Sequence, residues 1–275
     1  MTEPLNPAVA EEQPGLMSDL RELAQHAHLI LSFARRDIRA KYKQTLFGVA
    51  WAVIQPLSLM VVFTFVFSMF AHVESDGLPY PIFAYSALVF WTFFSLCVSQ
   101  GTVAMTANAN LVRKIYFPRE TLLLAVMISA FMDLLIAAVL LVGMFFYYRI
   151  GLSWAFLWVI PLLLLQAIFT LAIIFLSSSL HVNFRDIGHG LPLLLQLWMF
   201  ATRVAYPLAS VPAWLLPIYM LNPMAGIIDG YRRVLLHGAH PDLNYLAFAF
   251  PIAIVGVSLA YLAFKRAERT FADVI

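Results

Sequence analysis

The stretch from Leu29 to Phe70 decides the fold: LILSFARRDIRAKYKQ over residues 29–44, then TLFGVAWAVIQPLSLMVVFTFVFSMF over residues 45–70. In the first part Arg35, Arg36, Arg39, Lys41 and Lys43 sit among apolar residues, the pattern of a helix with one wet and one apolar face. The second part carries no ionisable side chain and exceeds the roughly 20 apolar residues that a helix needs to cross a bilayer. A helix lying on the cytoplasmic membrane face is therefore expected to hand over to one that spans it. Such a surface could be pushed by a cytosolic partner.

Composition extends this reading to the whole chain of 275 residues. Hydrophobic residues make up 62% and charged residues 12%, about half the charged share of a soluble domain, and mean hydropathy is +0.84. Apolar runs of this length mark helical spans, because barrel strands would appear as short alternating segments. The acidic, Pro-containing start has no basic region followed by an apolar one, so no cleaved signal peptide is expected. Cys97 is the single cysteine and lies in an apolar run, which excludes an internal disulfide framework.

Five runs stand out: Thr45–Phe70, Ile82–Met105, Thr121–Tyr148, Trp154–Leu180 and Tyr245–Phe264. Between the last two, Gly188–Val204 reads as a further, short span. Tyr206–Arg233, with Pro207, Pro212 and Pro217, reads as a broken, partly re-entrant segment near the outer surface. The expected fold is all-α and integral to the membrane, with six transmembrane helices. Its parts are a cytosolic tail (1–28), an amphipathic interface helix (29–44), a six-span domain (45–265) and a cytosolic C-terminal tail (266–275).

The bias of Lys and Arg toward the cytoplasmic side agrees with this count. Six spans put Arg21, Arg35, Arg36, Arg39, Lys41, Lys43, Arg113, Lys114, Arg119, Arg185, Lys265, Arg266 and Arg269 inside, and only Arg149, Arg203, Arg232 and Arg233 outside. Both termini are then cytosolic. The short outer loop from His72 to Pro81, with Glu74 and Asp76, carries no basic residue.

Several residues are candidates for function. In the cytoplasmic loop ANANLVRKIYFPRE, Leu111, Ile115 and Tyr116 are expected to share one face of a short amphipathic helix that Pro118 stops before Arg119 and Glu120. Asp133 lies midway along the third span, where an acid costs about 2.5–3.5 kcal/mol; it reads as a helix-bonding residue or a proton relay. Arg203 either reaches interfacial water or meets an anionic part of a substrate. Asp229 is spaced to pair with Arg232 or Arg233. No phosphate-binding loop of the form GxxxxGK with Ser or Thr is present, and the seven histidines form no HExxH pattern. No metal, no cofactor in this chain and no nucleic-acid partner are expected.

The segments RDIRAKYKQTLFGVAWAVIQPL from Arg36, NLVRKIYFPRE from Asn110, YPLASVP from Tyr206, LNPMAGIIDGYRRVLL from Leu221 and ERTFADVI from Glu268 together resemble the membrane (permease) subunit of polysaccharide ABC exporters. That family carries O-antigens, capsular polysaccharides, teichoic acids or related lipid-linked glycans. Arg203 departs from the pattern, since members commonly have a proline in the segment before the outer Tyr-Pro pair. The resemblance implies a channel-forming, non-catalytic homodimer in the cytoplasmic (inner) membrane. It docks two ATPase subunits that bind the ATP and Mg and exports lipid-linked polysaccharide, O-antigen first among its cargoes.

It further implies that Asn110, Leu111, Arg113, Lys114, Tyr116, Phe117, Pro118, Arg119 and Glu120 couple to the ATPase. Arg35, Arg36 and Arg39 would meet a substrate diphosphate or anionic membrane lipids. Arg203, Tyr206, Pro207, Asp229 and Arg232 would shape the outer gate. A drug or lipid exporter on the same permease fold is the nearest alternative. An ion-coupled carrier would need internal repeats and paired intramembrane charges, and a glycan-modifying enzyme a cluster of acids or a metal site.

Overall fold

The computed structural model describes residues 22–43, 45–70, 72, 75–151, 153–206, 214, 219 and 221–274. The N-terminal tail up to Arg21, and Gln44, Glu74, Pro207, Pro212 and Pro217, lie outside the described residues. Among the described residues all regular structure is helical. We label the helices α1 (Ala27–Tyr42), α2 (Gly48–Phe70), α3 (Tyr80–Ala107), α4 (Ala109–Lys114), α5 (Glu120–Tyr148), α6 (Trp154–Asn183), α7 (Asp186–Ala201), α8 (Pro223–Leu236) and α9 (Leu243–Val274).

Among the described residues five helices are long and apolar enough to cross a membrane: α2, α3, α5, α6 and the part of α9 from Leu243 to Phe271. Each coincides with one of the five clear apolar runs. The short fifth span read from Gly188–Val204 is a helix of 16 residues, α7. At 1.5 Å per residue it measures about 24 Å, short of a hydrocarbon core of roughly 30 Å. It stops because Thr202 turns and Arg203 takes a left-handed backbone conformation, φ +60°. The second half of the segment read as broken is one continuous helix, α8. Pro223 begins it, where a missing N–H is harmless, and the Asn222 side chain accepts from the Met224 N–H at 3.2 Å.

Helix α3 is the hub. It packs against α2, α5, α6, α7 and α8, and Ile82, Phe83, Ala84, Tyr85, Ala87, Leu88 and Phe94 are fully buried. Small residues allow close approach, as between membrane helices generally: a Cβ on Gly101 would come within 2.6 Å of Ile174 Cγ2 on α6. Polar side chains then tie the hub to its neighbours. Thr102 donates to Ser177 on α6 at 2.7 Å, and Tyr85 donates to the Ala137 carbonyl on α5 at 3.1 Å. Gln166 on α6 donates to the Phe90 carbonyl at 2.8 Å and accepts from Tyr231 on α8 at 2.9 Å. The Tyr231 ring stacks on Phe90 with centroids 3.6 Å apart. One glutamine thereby joins three helices without leaving a buried polar atom orphaned.

Helices α2 and α9 show the opposite character. Val61, Val62, Phe65, Met69 and Phe70 on α2, and Phe250, Val255 and Leu259 on α9, are exposed. In water such faces would be a liability. Against lipid they are the expected surface of a spanning helix.

Candidate functional site

At the end of α1 the successive residues Lys41 and Tyr42 both donate to Asp133, one to each carboxylate oxygen. The Asp133 side chain is only 8% exposed, so its charge must be met by protein. Burial, then the bond to Asp133, pushes the Tyr42 phenol up, keeping it protonated as a donor. A cavity of about 50 Å³ beside the joint is lined by Lys41, Gln55, Thr92 and Asp133 among others, room for water among polar groups. Of the two roles read for Asp133, the structure shows the helix-bonding one. Lower down, Phe33 meets Phe117 at 5.8 Å between ring centroids. Contacts at both levels mean that α1 runs along the base of α5.

This places the three arginines of α1. Arg36 pairs with its neighbour Asp37 at 2.8 Å and lies over the Phe33 ring. Arg35 and Arg39 are exposed and make no ion pair among the described residues.

Helix α4, in the loop after α3, is shorter than expected. It ends at Lys114, and Ile115 is extended at φ −129°, ψ 132°, so Ile115 and Tyr116 do not share a helical face with Leu111. The approaching Pro118 favours extended backbone before it, and the β-branched Ile115 fits that geometry. The extension sends adjacent residues in opposite directions: Tyr116 is 93% exposed while Phe117 is 5% exposed. Asn110, Arg113 and Lys114 are exposed, Leu111 is half-buried and Pro118 is buried.

Arg119 and Glu120 turn inward to α9 rather than outward. Arg119 donates to the Glu268 carbonyl and lies over the Phe271 ring. Glu120 pairs with Lys265 at 2.5 Å and accepts from Tyr261 at 3.2 Å. Lys265 also bonds Glu268 at 3.1 Å. Together they staple the foot of α5 to the last helix.

At the opposite end, residues 202–206 leave α7 without regular structure. Buried non-helical carbonyls need partners, and side chains supply them. Arg232 on α8 donates to the carbonyls of Arg203 at 2.7 Å, Val204 at 2.6 Å and Tyr206 at 3.3 Å. Tyr80 on α3 donates to the Ala205 carbonyl at 2.5 Å. The Arg232 guanidinium also stacks 3.7 Å over the Phe83 ring. Burial and the nearby Arg203 lower its pKa to about 9, so it stays protonated at neutral pH.

Asp229 bonds Arg233 at 2.9 Å and faces Arg203 at 3.7 Å; Arg232, the other partner read from spacing, is taken by the carbonyls. Arg203 is 2% exposed and donates to the Ala225 carbonyl at 3.4 Å. A proline at this position could not adopt φ +60°. Tyr206 donates to the Phe200 carbonyl at 2.7 Å and meets the Tyr219 hydroxyl at 2.6 Å.

Polar joints thus hold the molecule at both ends; spacing pointed Asp229 to its partner Arg233 but to none of the partners on other helices. A lone acid in an apolar run signals a missing partner, but Lys41 lies 92 residues from Asp133. The joint at Arg232 can be tested by Arg232→Lys, which keeps the charge but has one donor point instead of a planar fork. Losing two charged hydrogen bonds should destabilise the protein by roughly 3 kcal/mol, read as a lower melting temperature in detergent. An unchanged melting temperature would show that the carbonyls do not depend on the fork.

Comparison with known proteins follows the same architecture. Residues 28–236 match the ABC-2 type transporter family. The O-antigen export system permease protein RfbA of Myxococcus xanthus is 28% identical over 259 residues, covering 93% of this chain and 98% of that protein. Its namesake from Klebsiella pneumoniae is 26% identical, covering 90% and 95%. The polysialic acid transport protein KpsM of Escherichia coli is 23% identical, covering 82% and 89%. With more than half its length matched by the family, over helices that include both polar joints, the chain belongs to the ABC-2 type transporters.

Proposed function

We propose that this chain is the channel-forming membrane subunit of an ATP-driven exporter of lipid-linked polysaccharide, with O-antigen first among the candidate cargoes. It works as a homodimer with two separate ATPase subunits, which bind the ATP and Mg, in the cytoplasmic (inner) membrane. The observation that carries this reading is similarity along nearly the whole chain to permeases named for O-antigen and polysialic acid transport. In the six-span arrangement, α7 and the residues after it make the fifth crossing and α9 the sixth, with both termini in the cytosol.

The length of α5 supports that placement. Its 29 residues make a rod of about 43 Å, against a hydrocarbon core of roughly 30 Å. With Tyr147 and Tyr148 at the outer interface, the foot of α5 projects into the cytosol and Asp133 lies about 9 Å inside the inner boundary. Lys41 can then bond it from a helix that is otherwise interfacial. The exposed Tyr116, flanked by Arg113 and Lys114, is the knob that an ATPase subunit grips. Phe117, directly behind it, transmits the push to Phe33 on α1, and the Asp133 joint passes it to α5. Arg35 and Arg39 remain available to anionic lipid or to a substrate diphosphate.

Tyr116→Ala should reduce capture of the ATPase subunit and surface display of glycan with an unchanged melting temperature, because the side chain touches little of its own protein. Phe117→Ala should instead lower the melting temperature by removing a buried ring, a cost of about 3–5 kcal/mol. Full docking and export by the Tyr116 variant would refute the coupling role. Normal glycan display in cells lacking this chain would refute the cargo and favour a drug or lipid exporter.

For topology, a cysteine at Asn244 in a Cys97→Ser background should react with an impermeant maleimide in intact cells. One at Arg113 should react only after permeabilisation. The reverse pattern would overturn the six-span arrangement.

A further inference from the structure

A second cavity, of about 480 Å³, opens between the end of α3 with the start of α4 and the turn that joins α6 to α7. Its volume falls within the range of small-ligand sites. Thr106, Ala109, His181, Arg185, Gly188 and His189 are among its lining residues. Three of these are basic and none of the lining residues is acidic. Arg185 and His189 are exposed and neither makes an ion pair among the described residues.

His181, only 7% exposed, is held in place from behind. Its Nδ1 accepts the Gly188 N–H at 3.2 Å, so the neutral ring carries its proton on Nε2 and can donate. Gly188 is required for this, since a Cβ there would come within 2.7 Å of His181 Cε1. The first turn of α7 starts at the same turn, with no side chain capping it, and its dipole adds further positive potential. Asp186 belongs to that turn but does not line the cavity.

Converging basic donors in a concave, open site suit a tetrahedral oxyanion, which accepts several charge-assisted bonds at once. Basic pockets between membrane helices near the cytoplasmic face take lipid headgroups. We infer that this cavity binds a phosphate-bearing headgroup through His181, Arg185 and His189. Two sources offer that chemistry: an anionic phospholipid of the inner leaflet, or the diphosphate end of the lipid-linked cargo. The second source rests on the export reading above, whereas the first needs only the membrane. Either occupant would bridge the loop that carries Tyr116 and the start of α7.

The test uses the full chain with its ATPase subunit in detergent micelles, titrated separately with phosphatidylglycerol and decaprenyl diphosphate and followed by native mass spectrometry. Arg185→Gln with His189→Gln should weaken binding of at least one probe roughly tenfold or more. Gly188→Ala, which displaces His181 without changing charge, should weaken the same probe. Arg149→Gln, a basic residue in another loop, should leave both affinities unchanged.

Selective loss of phosphatidylglycerol assigns the membrane lipid, and selective loss of decaprenyl diphosphate assigns the cargo. Unchanged affinity for both probes in both cavity variants overturns the site, as does an equal loss in the Arg149 variant. Because binding is read without transport, such a failure leaves the export reading standing.

Discussion

A carboxylate within an apolar helix is the constraint on which the arrangement depends. Asp133 would be expensive alone in α5, and the protein answers with two donors from consecutive residues, Lys41 and Tyr42. Consecutive residues can reach one carboxylate only where α1 ends against α5, so neutralising the charge also fixes the position of α1. The basic residues further back on α1 are then carried along the base of α5, beside the loop that presents Tyr116. A buried ion pair of this kind contributes little net stability, yet removing one partner costs several kcal/mol. Its value is geometric.

The opposite end of the bundle solves a different problem by similar means. Where α7 stops, four successive carbonyls, from Arg203 to Tyr206, would be left without water or helix partners. Arg232 and Tyr80 occupy them. Tyr80 belongs to the hub helix α3 and Arg232 to α8, which packs on it, so the irregular segment is held against the most deeply buried part of the bundle. The left-handed backbone at Arg203 adds about 1–2 kcal/mol of strain, which the bonds of Arg232 offset.

The long helices were legible in the sequence because lipid imposes a simple rule: an uncharged run of spanning length has no alternative to helix. Thr45–Phe70 and Trp154–Leu180 reappear almost unchanged as α2 and α6. Pairings were legible only within one helix. Spacing pointed Asp229 to Arg233, its partner at 2.9 Å, but local periodicity sees only partners on one helix, and the carbonyls that occupy Arg232 come from the segment after α7, almost 30 residues earlier. The loop after α3 failed for a related reason. A helical period extended through Ile115 and Tyr116 hides the extended turn that separates an exposed Tyr116 from a buried Phe117. The bonds of Arg119 and Glu120 to α9 were equally hidden, because their partners lie almost 150 residues away in sequence.

In the proposed exporter Asp133 makes α1 and α5 a single moving body, so that force applied at α1 and at the loop after α3 reaches the membrane. The direct measurement is the distance between spin labels at the exposed positions Arg35 on α1 and Val139 on α5, in the assembled transporter with and without ATP. The account expects one narrow distribution that ATP leaves unchanged, and a broadened one in the Asp133→Asn protein. A distribution that shifts with ATP in the unaltered protein, or that ignores the loss of the Asp133 charge, would contradict it.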